Sequence, residues 1–200
     1  MKRFFLTLIA TFLLAISAAA QVETWQIDPN HSAAQFAVKH GGISIVRGAF
    51  GKTTGTVQYD AADPSNTAID VTIDATSVDT RVEPRDKDLR GPNFFDVEKY
   101  PTITFKSKKV EPEGKGKLKV TGDLTIKGVT KEVVLAVDGP NGPTKDPRGN
   151  QHMGASATTQ VSRKDFGVSG APGGVADDVL ITIDVELVKP AAPAAPALPK

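Results

Sequence analysis

Apolar and polar residues alternate with a period of two along several stretches of the chain. The longest of these stretches covers residues 117–126, where only Gly122 interrupts the alternation. The same alternation recurs over residues 69–74, 102–106 and 181–187. Because successive side chains of a β-strand point to opposite faces, each stretch predicts a strand with one apolar and one polar face. A short chain buries several such faces best by closing one sheet into a barrel.

Turn residues divide the chain into nine predicted strands. Lys127-Gly128 lies between two apolar runs and predicts a tight hairpin, whereas the three prolines of residues 139–149 predict a loop. The predicted strands are Thr24–Ile27, Ser32–Lys39, Val46–Tyr59, Ala68–Ser77, Thr102–Val110, Lys115–Ile126, Lys131–Asp138, Met153–Arg163 and Asp178–Lys189.

Residues 80–100 interrupt the series of strands. Pro84 suits the first position of a helix, and the residues from there to Arg90 carry no β-branched side chain. Gly91-Pro92 ends this helix. A second short helix fits residues 40–44. The sequence therefore predicts an all-β fold with one or two short helices.

The two ends of the chain lie outside the predicted fold. Residues 1–20 combine a basic start, an apolar run and the small residues Ala18-Ala19-Ala20, which predicts a cleaved signal peptide and a periplasmic or secreted protein. One domain then spans residues 21–189. Residues 190–200 are rich in Pro and Ala and predict an extended or disordered tail.

Composition excludes several classes of protein. The chain has no cysteine, which rules out disulfides, thiolate zinc sites and iron–sulfur clusters. Its 24 basic and 23 acidic residues nearly balance, which argues against nucleic acid as a partner. An outer-membrane barrel carries aromatic girdles, but aromatic residues make up only 6% of this chain. We therefore expect a water-soluble barrel with an apolar interior and no stable membrane insertion; a homodimer is compatible with this sequence.

The candidates for chemistry are few. His31, His40 and His152 do not have the spacing of a helical metal site, and the chain has no Gly-x-Ser-x-Gly motif. We predict no catalytic residue, no metal and no cofactor. Two alternatives stay open: a metal- or acid–base-dependent enzyme that uses these histidines with Asp86 or Asp88, or a stress-related structural module whose barrel is filled.

Strand parity identifies the residues that face the barrel interior. Eight strands close around a space that side chains fill or that one small ligand occupies. Phe94 and Phe95 are predicted to cap this space. The residues predicted to line it are Phe36, Val38, Phe50, Ile103, Phe105, Leu124, Ile126, Ile181 and Ile183.

Charged residues are concentrated around the predicted helix. Asp86, Asp88 and Asp96 lie among Arg81, Arg85, Arg90 and Lys99. They form either a solvated loop of mutual ion pairs or a polar rim that orients the head group of a ligand. Arg85, Asp86 and Leu89 are the candidate ligand-binding residues of this segment.

Five motifs in a fixed order resemble the YceI-like family, and the match runs from Trp25 to Lys189. The motifs begin with Trp25-Gln-Ile-Asp-Pro-Asn-His-Ser32 and Phe36-Ala-Val-Lys-His40 followed by Arg47-Gly-Ala-Phe50. The third motif consists of Arg85-Asp86, Leu89-Arg90, Asn93-Phe-Phe-Asp-Val97 and Lys99-Tyr-Pro-Thr-Ile-Thr-Phe-Lys-Ser107. The fourth is Gly122-Asp-Leu-Thr-Ile-Lys-Gly-Val-Thr-Lys131. The fifth is Arg163-Lys-Asp-Phe-Gly167. One departure is Asp88, where the family often has histidine.

This resemblance implies an extended antiparallel, lipocalin-like barrel of eight strands around a long apolar cavity. It also implies non-enzymatic binding and transport of a polyisoprenoid or similar long-chain lipid, such as an isoprenoid quinone. Each methylene moved from water to an apolar wall gains about 0.8 kcal/mol, so a dry tunnel is sufficient to bind such a chain.

Overall fold

Eleven strands and one α-helix form the computed structural model, which describes residues 22–191. The predicted signal peptide and residues 192–200 of the predicted tail lie outside this part of the chain. The helix, α1, is Glu83–Arg90. The strands are β1 Glu23–Ile27, β2 Ala33–His40, β3 Ser44–Phe50, β4 Thr53–Tyr59, β5 Ala68–Asp74, β6 Val78–Asp79, β7 Thr102–Pro112, β8 Lys117–Ile126, β9 Val129–Lys145, β10 Gln151–Ser162 and β11 Val175–Lys189.

The sheet closes on itself. Eight strands are hydrogen-bonded in the order β1-β4-β5-β7-β8-β9-β10-β11, and β11 pairs back with β1. All of these pairings are antiparallel. The remaining strands branch from β11, since β2 pairs with β11, β3 with β2, and β6 with the end of β3. The predicted eight-stranded antiparallel barrel is confirmed.

One predicted strand, Val46–Tyr59, is in fact two. Gly51 and Lys52 separate β3, which pairs with β2, from β4, which pairs with β1. At this break the carbonyl of Lys52 accepts a hydrogen bond from the backbone N–H of Asp74, the last residue of β5, over 2.9 Å. The chain changes partners between β3 and β4, and alternation along one segment does not reveal such a change.

Two other predictions from local sequence are wrong. Residues 139–145 belong to β9 rather than to a loop, and they pair with β10 across two register shifts. Prolines lack the N–H that a regular ladder needs, so this irregular ladder accommodates Pro140 and Pro143. The predicted helix at residues 40–44 is absent: residues 41–43 form the turn between β2 and β3, where Gly41 and Gly42 adopt positive φ angles of 56° and 73°.

The predicted helix and hairpin are confirmed. Helix α1 has Pro84 in its first turn and ends at Arg90, directly before Gly91. Ile126 pairs with Val129 across the two-residue turn Lys127-Gly128, where both φ angles are positive. Among residues 22–191, no helix is both long enough and apolar enough to span a bilayer.

The turns between strands distinguish the two ends of the barrel. We call one the helix end, which carries α1, the β2–β3 turn, the β8–β9 turn and the loop of residues 163–174. The other is the opposite end, which carries the β4–β5, β7–β8 and β9–β10 turns. Because the strands are antiparallel, β11 runs from the helix end to the opposite end.

Candidate functional site

A cavity of about 950 Å³ occupies the interior of the barrel. Apolar side chains form most of its wall, and they come from the inner faces of the barrel strands, from β2 and β3, and from the segments around α1. All nine residues that strand parity placed inside the barrel lie on this wall: Phe36, Val38, Phe50, Ile103, Phe105, Leu124, Ile126, Ile181 and Ile183. Alternation along the sequence was therefore sufficient to identify them.

The inner faces of β2 and β11 border open space. Val38, Ile181 and Ile183 point into the barrel, yet each is only partly buried. An inward residue stays accessible when no other side chain packs over it. The structure therefore does not agree with the alternative of a barrel filled by its own side chains.

Packed side chains close the barrel toward its opposite end. Trp25, Met153 and Leu187 are buried there with Ile27, and together they form a core cluster separate from the one that surrounds the cavity. Met153 and Leu187 also lie on the cavity wall. These residues were not among those predicted to line the interior, although Met153 of β10 and Leu187 of β11 lie at inward positions of their strands.

The cavity opens at the helix end. Several residues that line it there are exposed to solvent, and they come from β2, from the start of α1 and from the two loops beside it. We call this group the mouth, and its exposed members are His40, Val82, Pro84, Lys87, Asp88, Pro92, Asn93 and Ala171.

Phe94 and Phe95 pack into the wall of the cavity beside the mouth. Both rings are partly buried, and Phe95 meets Phe50 edge to face with the ring centroids 5.3 Å apart. Phe94 lies directly on Gly170, where a Cβ atom would overlap its ring. These contacts fix the loops on either side of the mouth against each other.

Arg85 and Leu89 lie on the cavity wall, whereas Asp86 does not. The carboxylate of Asp86 is buried, and it accepts hydrogen bonds from the hydroxyl and the backbone N–H of Thr80, the latter over 2.8 Å. Arg85 donates from Nε to the Thr80 hydroxyl over 2.7 Å. This placement does not support the predicted ligand contact of Asp86, because its position in the first turn of α1 directs the carboxylate toward Thr80.

Arg163 is a buried residue of the helix end that the family motif includes but that was not among the candidate site residues. Its guanidinium donates to four backbone carbonyls, which belong to Val168, Gly170, Val175 and Ala176, at distances of 2.7–3.0 Å. The residue thereby holds the loop beside the mouth and forms part of the cavity wall. Its signal in the sequence was a charged side chain at an inward position of the predicted strand Met153–Arg163.

Two residues of the cavity wall carry a buried hydroxyl group that has no hydrogen-bond partner in the described chain. Thr53 and Thr67 are buried and lie on the wall, and neither Oγ1 atom has a hydrogen-bond partner within residues 22–191. A buried hydroxyl without a partner costs free energy, and both atoms are covered by other atoms of the wall rather than open to the cavity.

Two of the three histidines lie outside the barrel, near its opposite end. His31 Nδ1 donates to Asp28 over 2.8 Å, and His152 Nδ1 donates to Glu186 over 2.7 Å. The hydrogen bond to Asp28 raises the pKa of His31, and the one to Glu186 raises the pKa of His152. Ligand atoms of Asp28, His31 and Glu186 lie within 4.8 Å of one another, but Asp28 already pairs with His31 and Glu186 with His152.

His31 and His152 do not share a site with the carboxylates of α1. His31 and His152 lie toward the opposite end of the barrel, whereas Asp86 and Asp88 belong to α1 at the helix end. His40 is at the mouth, but the carboxylate of Asp86 is bonded to Thr80. Of the histidine–carboxylate pairs in the enzyme alternative, the structure brings His40 and Asp88 to the same place, the mouth, where both are exposed.

Comparison with known proteins identifies the family. The model of the YceI-like domain matches residues 25–187. A UPF0312 protein of Vibrio cholerae is 36% identical over 170 residues, which cover 84% of this chain and 89% of that protein. The YceI protein of Campylobacter jejuni, a crystal structure, is 35% identical with a TM-score of 0.68 and covers 76% of this chain and 90% of its own.

A more distant structure shares the fold. A polyisoprenoid-binding domain from Saccharophagus degradans, implicated in plant cell wall breakdown, has a TM-score of 0.59 at 14% identity. The alignment covers 85% of this chain and all of that domain. With the barrel, the cavity and the family model in agreement, the chain belongs to the YceI-like family.

Proposed function

We propose that this protein binds a polyisoprenoid or similar long-chain lipid, such as an isoprenoid quinone, and carries it by reversible burial without chemical change. The observation that carries the proposal is the apolar cavity of about 950 Å³ inside a closed barrel. Ligand cavities of about 300–1,000 Å³ are usual, so this one is at the large end of the range. The polyisoprenoid-binding domain of Saccharophagus degradans, which shares the fold, also supports the proposal.

The shape of the cavity suits a slender ligand. On β11 alone its wall extends from Val175 to Leu187. At about 3.3 Å per residue and a tilt of about 40°, this part of the strand spans roughly 30 Å along the barrel axis. An extended apolar chain fills such a space, and its binding energy accumulates at about 0.8 kcal/mol for each methylene buried.

Polar contacts then set the orientation of the ligand. The polar end of the lipid lies at the mouth, near Arg85 and Lys87, while the tail extends toward Met153 and Leu187. The proposal also places this activity in the periplasm or outside the cell, because residues 1–20 have the pattern of a signal peptide. Cell fractionation tests the location.

Extraction of the purified protein tests the function directly. Protein isolated without detergent is extracted with organic solvent, and mass spectrometry is expected to find a long prenyl or acyl chain. The delipidated protein is expected to take up a long-chain prenol or a prenyl quinone added from ethanol. Recovery of protein without any such chain, combined with no uptake, would refute the proposal.

A pair of matched substitutions ties the uptake to the cavity. Ala155 lies on the wall and is partly buried, so Ala155→Phe places a ring in the open space. Ala136 is exposed on the outer face of β9, and Ala136→Phe adds the same ring outside. Uptake should fall in the first variant and stay unchanged in the second. Equal uptake by both variants would show that the ligand binds elsewhere.

A further inference from the structure

Exposed apolar side chains are concentrated at the helix end of the barrel. Ile43, at the tip of the β2–β3 turn, is 91% exposed, and Ile45 on β3 is 54% exposed. Val82 at the mouth and Tyr100 beside the β8–β9 turn are also exposed. Large apolar side chains exposed to solvent next to the mouth of a cavity indicate a binding surface for something apolar.

The β2–β3 hairpin connects this apolar tip to the cavity. On its inner face, Val38, His40 and Val46 line the cavity. On its outer face, Lys39 lies directly opposite Ile45 in the ladder, and Arg47 follows on the same face. If the tip of this hairpin inserts into an apolar phase, such as the interior of a bilayer, the mouth of the cavity therefore lies next to that phase.

The charge of the hairpin is entirely positive. Residues 32–59 contain no aspartate and no glutamate, while Lys39 and Arg47 lie within this stretch. Both are exposed, and neither forms an ion pair with any other residue of the described chain. By contrast, Glu83 of α1 pairs with Arg90 at 3.5 Å. Unpaired cations beside an exposed isoleucine complement the negative surface of a membrane that contains anionic phospholipids.

We propose that the β2–β3 hairpin docks the mouth on an anionic phospholipid bilayer, with Ile43 and Ile45 in the interface and Lys39 and Arg47 on the phosphates. The inference rests on the proposed function, because a long-chain lipid is stored in bilayers and enters water poorly. Docking lets the chain pass from the bilayer into the cavity without crossing water. The attachment is peripheral and reversible, since two isoleucines bury little apolar area.

Vesicle sedimentation tests the docking. The protein without residues 1–20 is mixed with vesicles of phosphatidylethanolamine and phosphatidylglycerol, and separately with vesicles of phosphatidylcholine alone. Binding is expected only to the anionic vesicles, and it should weaken as salt is added. Ile43→Ser should lower the affinity about tenfold. Each of Lys39→Gln and Arg47→Gln should lower it roughly fivefold.

Control variants remove similar groups far from the mouth. Val134 is exposed on β9, so Val134→Ser removes an exposed apolar side chain from the side of the barrel. Lys115 and Lys145 lie at the opposite end and are exposed, so their replacement by Gln removes the same charge there. All three should bind vesicles as the unchanged protein does. Controls that weaken binding as much as Ile43→Ser would overturn the assignment to the hairpin.

Uptake of a prenol delivered from ethanol separates this inference from the proposed function. Ile43→Ser should keep this uptake while it loses vesicle binding. If the protein takes up prenol but does not bind vesicles, membrane docking is refuted and the carrier function is not. The exposed hairpin would then be a binding site for a protein partner. A protein that binds vesicles but takes up no prenol disproves the carrier function.

Discussion

The carboxylate of Asp86 accepts both the backbone N–H and the hydroxyl of Thr80, and the Asp86 side chain is only 3% exposed. This pair attaches the first turn of α1 to the strand segment before it. Arg90, in the last turn, donates to the carbonyls of Thr76 and Val78, each over 3.0 Å. Both ends of the helix are therefore fixed to one short segment, which holds one side of the mouth in place.

The first prediction concerns this attachment. Asp86→Ala leaves the N–H and the hydroxyl of Thr80 without their acceptor in a buried site, so we expect a loss of about 2–3 kcal/mol in the free energy of unfolding. Urea unfolding measures it. Asp88→Ala, two residues further on the same helix but exposed, should change the free energy by less than about 0.5 kcal/mol. Equal losses would contradict the structural role of Asp86.

The second prediction concerns Arg163. A lysine at this position keeps the positive charge, but its single ammonium group cannot bond the four carbonyls that the planar guanidinium of arginine reaches. Arg163→Lys should therefore increase hydrogen exchange of the backbone over residues 168–175 and destabilise the fold by about 2–3 kcal/mol. Arg148→Lys is the control, because that side chain is 88% exposed. Unchanged exchange in Arg163→Lys would show that the loop holds its shape by other contacts.

The third prediction concerns the contact between Gly170 and Phe94. A Cβ at residue 170 overlaps the aromatic ring, so Gly170→Ala forces the ring or the loop to move and should cost about 1–3 kcal/mol. The same variant should take up less prenol, because Phe94 is part of the cavity wall. Gly51→Ala serves as the control, since no atom lies within 4 Å of its added Cβ. Thermal unfolding and uptake that match the control would contradict this account.

The fourth prediction concerns pH. The hydrogen bond to Glu186 raises the pKa of His152 above its ordinary value of 6.5. A raised pKa in the folded state stabilises the fold below pH 6.5, and this contribution disappears as the pH rises through the folded value. The free energy of unfolding should therefore decline between roughly pH 6 and pH 8.

Variants assign this pH dependence to its source. His152→Gln should decline less steeply over the same range, and His31→Gln should do so too because the bond to Asp28 raises the pKa of His31. His40 lies at the mouth, far from Glu186, and His40→Gln provides the comparison. Chemical unfolding at a series of pH values measures the slope. If His152→Gln keeps the full slope, the pair with Glu186 is not its origin.

The cavity wall was predictable because it depends on local periodicity. Ile181 and Ile183 have alternating polar neighbours, and any strand with this pattern places both on one face whatever its partners are. A barrel then turns that face inward. The wrong predictions depended on partners instead: Pro140 is inside a strand because the ladder beside it is irregular, and Val46–Tyr59 is interrupted because its two halves pair with different strands.

The sequence alone determined the strands, the apolar inner face and, through its motifs, the family, since all of these follow from the order of side chains along the chain. Tertiary structure decided whether the interior was full or empty, because the space left by inward side chains depends on how far apart the strands close. It also decided that Asp86 bonds Thr80 and that Arg163 holds the mouth loop. Hydrogen bonds go to whichever groups folding brings near, and such neighbours leave no periodic pattern in the chain.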